Sequence, residues 1–259
     1  MIHAGRSTSP VILHVPHAST MIPPDVRSGI ELDDDALARE LLRMTDAYTD
    51  RIAAVGAAEA ATTPWQFVND HSRLVVDPER FPDAREEMLE VGMGAVYTRS
   101  SSGAPLRTVD LLDEAGLIAR YFTPYAAALT ELVDDRLDVC GGATIIDVHS
   151  FPSVALPYEL HSDLARPEIC IGRDSTHTPP ELEAAAVEAF SGFGRVGINM
   201  PFIGTYVPLA HYGADHRVRS IMLEVRRDLY MDEMSGEPSE EALHALGAAL
   251  ARLIDAASG

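Results

Sequence analysis

The chain contains no lysine, so all twenty of its basic residues are arginine. That absence excludes three chemistries together: a phosphate loop built on a lysine, a lysine Schiff base with pyridoxal phosphate, and a Ser-Lys nucleophilic pair. Cysteine is scarce as well. Cys140 and Cys170 are the only two, each beside an apolar segment, and they are expected to be buried reduced thiols in place of a disulfide. Long hydrophobic runs are missing: Val11 to Val15 and Ile221 to Val225 fall far short of the roughly 20 apolar residues that cross a bilayer. Met1 to Pro10 lacks the apolar core of a signal peptide, so a cytoplasmic location with no membrane partner is expected. Positive charge is also in deficit. Forty acidic residues against twenty basic ones give a formal net charge of −20, which repels nucleic acid and anionic membranes. If such a chain handles an anionic metabolite it needs a local positive site, so single arginines in a cleft matter more than the total. Catalysis, where present, must rest on His, Asp, Glu, Arg, Ser, Cys or a metal.

What is there is a core. With 259 residues and 46% hydrophobic content, the chain is long enough for one large domain spanning residues 1–259. Short β-like runs at Val11–Val15, Leu74–Asp77, Thr144–Val148, Glu168–Gly172, Val196–Asn199 and Ile221–Val225 alternate with segments of helical spacing. The helical segments are Asp34–Val55, Val109–Leu137, Pro179–Phe190 and Ser239–Ala256. This alternation predicts an α/β fold, a sheet covered by helices. Gly92–Arg107, rich in Gly, Ser and Thr, reads as a long loop or hairpin.

Five places carry candidate chemistry. His17 follows the first strand directly, at the edge of the sheet where open α/β folds place ligands; a histidine that merely caps a turn is the alternative. In Thr144-Ile145-Ile146-Asp147-Val148-His149-Ser150 the period of two puts Asp147 and His149 on one side of a strand. That pair is either structural, or His149 is a metal ligand with Asp147 fixing its tautomer. Asp46 and Asp50 lie one turn apart in the predicted helix 34–55; Asp50 reads as solvated, and Asp46 as a possible third ligand of a two-histidine zinc site. Glu224 sits inside an apolar strand, where it is either paired with an arginine or poised for catalysis. Arg73 and Asp77 share a face of the predicted strand; Arg73 either pairs with Asp77 or presents its fork to a substrate carboxylate.

Taken together and in order, these pieces resemble the N-formylglutamate amidohydrolase family. They are Val15-Pro16-His17-Ala18, Thr45-Asp46, Ser72-Arg73-Leu74-Val75-Val76-Asp77, Thr123-Pro124-Tyr125 and Asp147-Val148-His149-Ser150. Asn199 with Phe202 and Gly204, His211-Tyr212-Gly213, and Leu223-Glu224 before Leu229-Tyr230-Met231 complete the set. They cover residues 11 to 233, and their shared order is more specific than any single piece.

The resemblance implies a mixed sheet flanked by helices on both faces, as in zinc carboxypeptidases and amidases (phosphorylase/hydrolase-like). It also implies a Zn2+ or other divalent ion held by His17, Asp46 and His149, with Glu224 as catalytic acid and base. Arg73 is then expected to clamp the substrate carboxylate or help at the oxyanion, with Arg80, Asn199 and His211 as further substrate contacts. The activity implied is hydrolysis of N-formyl-L-glutamate, or a related small anionic N-acyl amino acid, to formate and the amino acid, a step of histidine degradation. A carboxypeptidase or deacylase of the same fold and a non-catalytic binder of small acidic ligands are the alternatives. Two departures from the family pattern, Ala126 where a histidine is usual and Pro78-Glu79 in the segment before Arg80, leave the acyl-amino acid open.

Overall fold

A computed structural model of the chain describes residues 1–259 with the exception of His161. Among the described residues, seven strands form one mixed sheet: β1 (Ile2–His3), β2 (Val11–Val15), β3 (Trp65–Val68), β4 (Ala143–Phe151), β5 (Ile169–Gly172), β6 (Val196–Ile198) and β7 (Val218–Arg226). The order is β1-β3-β2-β4-β7-β5-β6. The central strands β3, β2, β4 and β7 run parallel, β1 is antiparallel to β3, and the β5–β6 pair runs antiparallel to β7. The helices are α1 (Pro24–Arg27), α2 (Asp34–Met44), α3 (Thr49–Glu59), α4 (Glu114–Leu117), α5 (Thr123–Cys140), α6 (Pro180–Phe190) and α7 (Glu240–Ala257). No described helix is long and apolar enough to cross a membrane. Cys140 and Cys170 are both free thiols, the second fully buried.

Helices cover both faces, which is why the central strands read as continuous apolar runs. On one face Val11, Leu13, Val15, Ile146, Val148, Ile221, Leu223 and Val225 pack against residues of α3, α6 and α7. On the other, Ile12, Ile145 and Val218 meet Leu129, Leu132, Val133 and Leu137 of α5. Towards the carboxyl ends of the strands this second face changes character. The next positions in the same alternation are His14 on β2, Asp147 and His149 on β4, and Glu224 on β7, with His14 beside Asp147 and His149 beside Glu224 in the register. Parallel pairing thus brings polar positions from three strands to one edge.

Three expected elements differ. The predicted helix 34–55 is two helices: Thr45 leaves α2 in an extended conformation, and Tyr48 adopts a left-handed φ of 67° before α3 begins. Val109–Leu137 is likewise not one helix, since a 3-10 turn, α4 and a π-helical turn at Ile118–Phe122 precede α5. Leu74–Asp77 is a loop where a strand was expected. Other partners replace a ladder: the Val75 amide donates to the Ser72 carbonyl at 2.8 Å, and the Leu74 carbonyl accepts from the buried Arg107 guanidinium, which also donates to the Tyr97 carbonyl. The short strand β3 goes unpredicted, a four-residue stretch too brief to show a period. Gly92–Arg107 is an irregular hairpin with isolated bridges Met93–Tyr97 and Arg99–Pro105.

The contact between α3 and α7 depends on glycine. A Cβ at Gly247 stands 2.4 Å from Val55 Cγ1 and 2.5 Å from Val55 Cβ, and one at Gly56 stands 2.9 Å from Leu250 Cγ. Gly247→Ala gains up to about 1 kcal/mol of helix propensity, but the overlap with the branched Val55 forces the helices apart. We predict net destabilisation of about 1–3 kcal/mol, read as a lower urea midpoint. A higher midpoint would show that the two helices have room to spare.

Candidate active site

Five segments deliver the site to the carboxyl edge of the sheet. His17 lies two residues past β2, where the Asp46 amide donates to the His17 carbonyl at 3.0 Å and ties in the break between α2 and α3. Asp46 is therefore not on a helix face: it sits in that break, buried, while Asp50 in the first turn of α3 is exposed. His149 and Asp147 come from β4 and Glu224 from β7. The loop after β3 adds Arg73, Asp77, Glu79 and Arg80.

At the centre, His17 Nδ1 and His149 Nδ1 face each other at 3.3 Å. Asp46 Oδ2 lies 3.1 Å from the latter and 3.6 Å from the former. Behind each ring stands another carboxylate: His17 Nε2 donates to Asp77 Oδ1 at 2.9 Å, and His149 Nε2 is 3.0 Å from Asp147 Oδ1. The other Asp46 oxygen accepts from Arg227 at 3.0 Å, and Arg227 also donates to Ser150 Oγ at 3.1 Å. Three donors 2.0–2.1 Å from a tetrahedral zinc stand roughly 3.3 Å apart, so the two imidazole nitrogens and the Asp46 oxygen have the spacing and chemistry to hold a metal. A second set, His17, Glu79 and His149, also brings one donor atom from each residue within 4.8 Å of the others. It fits less well, because His17 Nε2 is already bonded to Asp77 and lies 3.8 Å from Glu79 Oε2.

The electrostatics follow from this crowding. Burial alone raises the Asp46 pKa, but hydrogen bonds from His149 and His17 and the charge of Arg227 outweigh it and hold the carboxyl well below its ordinary range. Burial lowers the His149 pKa, yet the charges of Asp147 and Glu79 overcome it and hold the imidazole well above its ordinary value. Asp77 is buried and kept anionic against desolvation by Arg73, His17 and Arg80, with Arg73 Nη2 at 2.7 Å and the Tyr97 hydroxyl at 2.5 Å. Beyond Asp147 the network continues inward, His14 Nδ1 lying 2.8 Å from Asp147 Oδ1 and His14 Nε2 2.5 Å from the Tyr125 hydroxyl.

Glu224 differs from the other acids. It is buried, its Oε2 has no hydrogen-bond partner, and among the described residues no arginine lies within ion-pair distance of it. Burial pushes its carboxyl up to about 8, against the opposing charge of His149. A carboxyl balanced near neutrality is suited to taking up and returning a proton. Of the two alternatives open for Glu224 in the sequence, the pair with an arginine is not present among the described residues.

A cavity of about 1030 Å³ opens over these groups, lined by His17, Asp46, Arg73, Arg80, His149 and Glu224. Two expected substrate contacts lie outside that lining. Asn199, at a left-handed φ of 50°, accepts from the Arg173 and Gly204 amides at 2.7 and 3.3 Å and so holds a turn. His211 Nε2 faces Asp134 Oδ1 of α5 at 2.9 Å. Sequence reasoning missed Glu79, Arg227 and His14 as members of the site. His14 had a signal, a polar residue inside an otherwise apolar strand; Glu79 lies in the loop after β3 and Arg227 opens the 3-10 turn directly after β7, and no local pattern reveals the direction of either.

A sheet whose carboxyl edge carries buried histidines and carboxylates beneath a wide cavity is the architecture of an α/β enzyme. The sequence model of the N-formylglutamate amidohydrolase family matches residues 9–231, and the chain belongs to that family, which makes it a hydrolase of the amidohydrolase kind. A comparison with curated proteins finds no match. Among solved structures, the N-formylglutamate amidohydrolase from Ralstonia eutropha JMP134 superimposes with a TM-score of 0.79 at 24% identity, over 96% of this chain and 92% of that one. The gene product Atu2144 from Agrobacterium tumefaciens gives a TM-score of 0.68 at 19% identity, over 99% and 94%. At such identities the likeness concerns the fold.

The raised pKa of Glu224 makes a test on metal-free protein. Its folded value of about 8 exceeds the ordinary 4.5, so ionisation opposes folding: the cost is small below pH 5 and grows until about pH 8. At roughly 1.4 kcal/mol per pKa unit, Glu224→Gln is expected to be more stable than wild type by a few kcal/mol at pH 8 and little different at pH 5, by chemical denaturation. Equal or lower stability at pH 8 would mean that the carboxylate has a partner after all.

Proposed function

We propose that the chain hydrolyses the N-formyl amide of N-formyl-L-glutamate, or of a related N-acyl amino acid, using a zinc ion held by His17, Asp46 and His149. The observation that carries this reading is the triangle of His17 Nδ1, His149 Nδ1 and Asp46 Oδ2, with edges of 3.1, 3.3 and 3.6 Å, beside an unpartnered Glu224 oxygen. Bound there, zinc supplies Lewis acidity towards water and the scissile carbonyl.

The chain's own residues do the rest. Asp77 sits behind the His17 imidazole and, through its bond to Nε2, turns Nδ1 inward, while Asp147 Oδ1 stands 3.0 Å from His149 Nε2 as its nearest counter-charge. Arg227 fixes the rotamer of Asp46 through its second oxygen. Glu224 accepts the proton of the attacking water and passes it to the amide nitrogen, so that the C–N bond breaks, the hydroxyl stays on the acyl carbon and the amine leaves neutral. Arg73 is committed to Asp77 and Tyr97 at 2.7 and 3.0 Å, which suits a positioning role more than a direct clamp. Arg80 is held more loosely, 3.8 Å from Asp77 and 3.5 Å from Glu86. Its guanidinium has donors to give to the substrate carboxylate.

Metal content measured alongside formate release tests the proposal. His17→Ala and His149→Ala are expected to lose zinc and activity together, because two protein ligands hold zinc poorly; full occupancy in both variants would refute the ligand set. Asp46→Asn is expected to behave in the same way, and Asp50→Asn to leave zinc in place. In Glu224→Gln, zinc is expected to remain while turnover falls on the order of a hundredfold. Near-normal turnover in that variant would require another base.

A further inference from the structure

In a chain with forty acidic residues against twenty arginines, an arginine is expected to find a carboxylate. Four arginines line the cavity. Arg73 is bonded to Asp77 and Arg227 to Asp46, and Arg80 is held loosely between Asp77 and Glu86. Arg43 is the fourth. It is exposed, and among the described residues its guanidinium makes neither an ion pair nor a hydrogen bond. The acids of the wall have other partners: Asp147 lies 2.8 Å from His14 Nδ1, Glu159 pairs with Arg166 at 2.6 Å, and Glu79 stands 3.2 Å from His149 Nε2. Glu87, exposed in the same wall, is not within ion-pair distance of Arg43 either.

The backbone of Arg43 is nonetheless fixed to the reactive centre. Arg43 is in the last turn of α2, three residues before Asp46. Its carbonyl accepts from Arg227 Nη1 at 2.6 Å, and Nη2 of the same guanidinium donates to Asp46 Oδ1 at 3.0 Å. The root of the side chain is therefore placed by the residue that orients Asp46, while the head is left free at the cavity wall. A guanidinium in that position offers a planar fork of donors that matches a carboxylate, and a ligand that covers it displaces the water that screens its charge. N-formyl-L-glutamate brings two carboxylates. The α-carboxylate is one carbon from the scissile nitrogen, which suits Arg80, linked through Asp77 to His17. The side-chain carboxylate lies two methylenes further out and calls for a second cation, and Arg43 is the one in the wall without a protein partner.

We propose that Arg43 is a specificity-determining residue that binds the side-chain carboxylate of the substrate, with the α-carboxylate on Arg80. The proposal rests on the amidohydrolase reading above and deepens it. With zinc-loaded full-length protein, kcat/KM is measured by formate release for N-formyl-L-glutamate and N-formyl-L-glutamine, which have nearly the same shape and differ in the charge of the side chain. Wild type is expected to prefer the glutamate substrate by tenfold or more, the size of effect that a charge-assisted hydrogen bond gives. Arg43→Gln is expected to shrink that ratio at least fivefold, chiefly through KM for N-formyl-L-glutamate, with an unchanged urea midpoint because the side chain holds nothing in the fold. Arg39→Gln, one turn earlier on α2, exposed and outside the cavity lining, removes the same charge and is expected to leave the ratio where it was. Binding is read apart from turnover by calorimetry on zinc-loaded Glu224→Gln protein, where adding Arg43→Gln is expected to weaken N-formyl-L-glutamate at least fivefold. A wild-type ratio near one, a ratio or Kd that Arg43→Gln leaves in place, or an equal loss in Arg39→Gln would overturn the proposal and leave the amidohydrolase reading standing. If neither formyl substrate is cleaved with zinc bound, both fall.

Discussion

The site depends on the burial of charge at one edge of the sheet. Asp46, Asp77, Asp147, His14, His17, His149 and Arg227 are all nearly inaccessible to solvent, and an isolated ion in such surroundings is prohibitively unstable. Each is tolerable only because its neighbours neutralise it, so the positions of these side chains are fixed together. The register of β2, β4 and β7 sets His14 beside Asp147 and His149 beside Glu224. The bond from the Asp46 amide to the His17 carbonyl then closes the cluster from the helical side. Glu224 is the exception, a buried acid without a counterion, and this is what separates it from the structural carboxylates around it.

The absence of lysine has a structural side. The buried basic residues are used as forks. Arg227 donates to Ser150 Oγ, the Arg43 carbonyl, Asp46 Oδ1 and the Ser150 carbonyl, and Arg136 reaches the Ser7 carbonyl through Nη1 and the Asp135 carboxylate through Nη2. An ammonium group is a compact point charge and does not span such sets of acceptors. Arg107 does the same in the loop that carries Arg73 and Asp77, taking the carbonyls of Leu74 and Tyr97. That loop presents its carboxylates to His17 without belonging to the sheet, and arginine replaces the neighbouring strand.

Much of this was legible in the sequence, and the limits are physical. The strands at 11–15, 144–148 and 221–225 announced themselves because burial on both faces demands unbroken apolar runs, and the polar residues that interrupt those runs, Asp147, His149 and Glu224, were the informative ones. Asp46 was singled out for an incomplete reason: its helix breaks at Thr45, and it is the break that turns its carboxylate towards the histidines. Glu79 and Arg227 depend on turns and on long-range packing, which leave no periodic trace. Asn199 and His211 lie in segments that border the cavity, but an Asx-type turn and a contact with Asp134 direct their side chains elsewhere. The substitution of Pro78-Glu79 before Arg80, which left the substrate open at the level of sequence, lies in the lining of the cavity itself.

The central claim is that two Nδ1 atoms and one Asp46 oxygen form the metal site, with the Nε2 faces turned away to Asp77 and Asp147. Crystals of the zinc-loaded protein, measured on both sides of the zinc absorption edge, test this directly. The account predicts a single anomalous peak in contact with His17 Nδ1, His149 Nδ1 and Asp46 Oδ2. A peak on the Nε2 side against Glu79, or none at this cluster in an active enzyme, would contradict it.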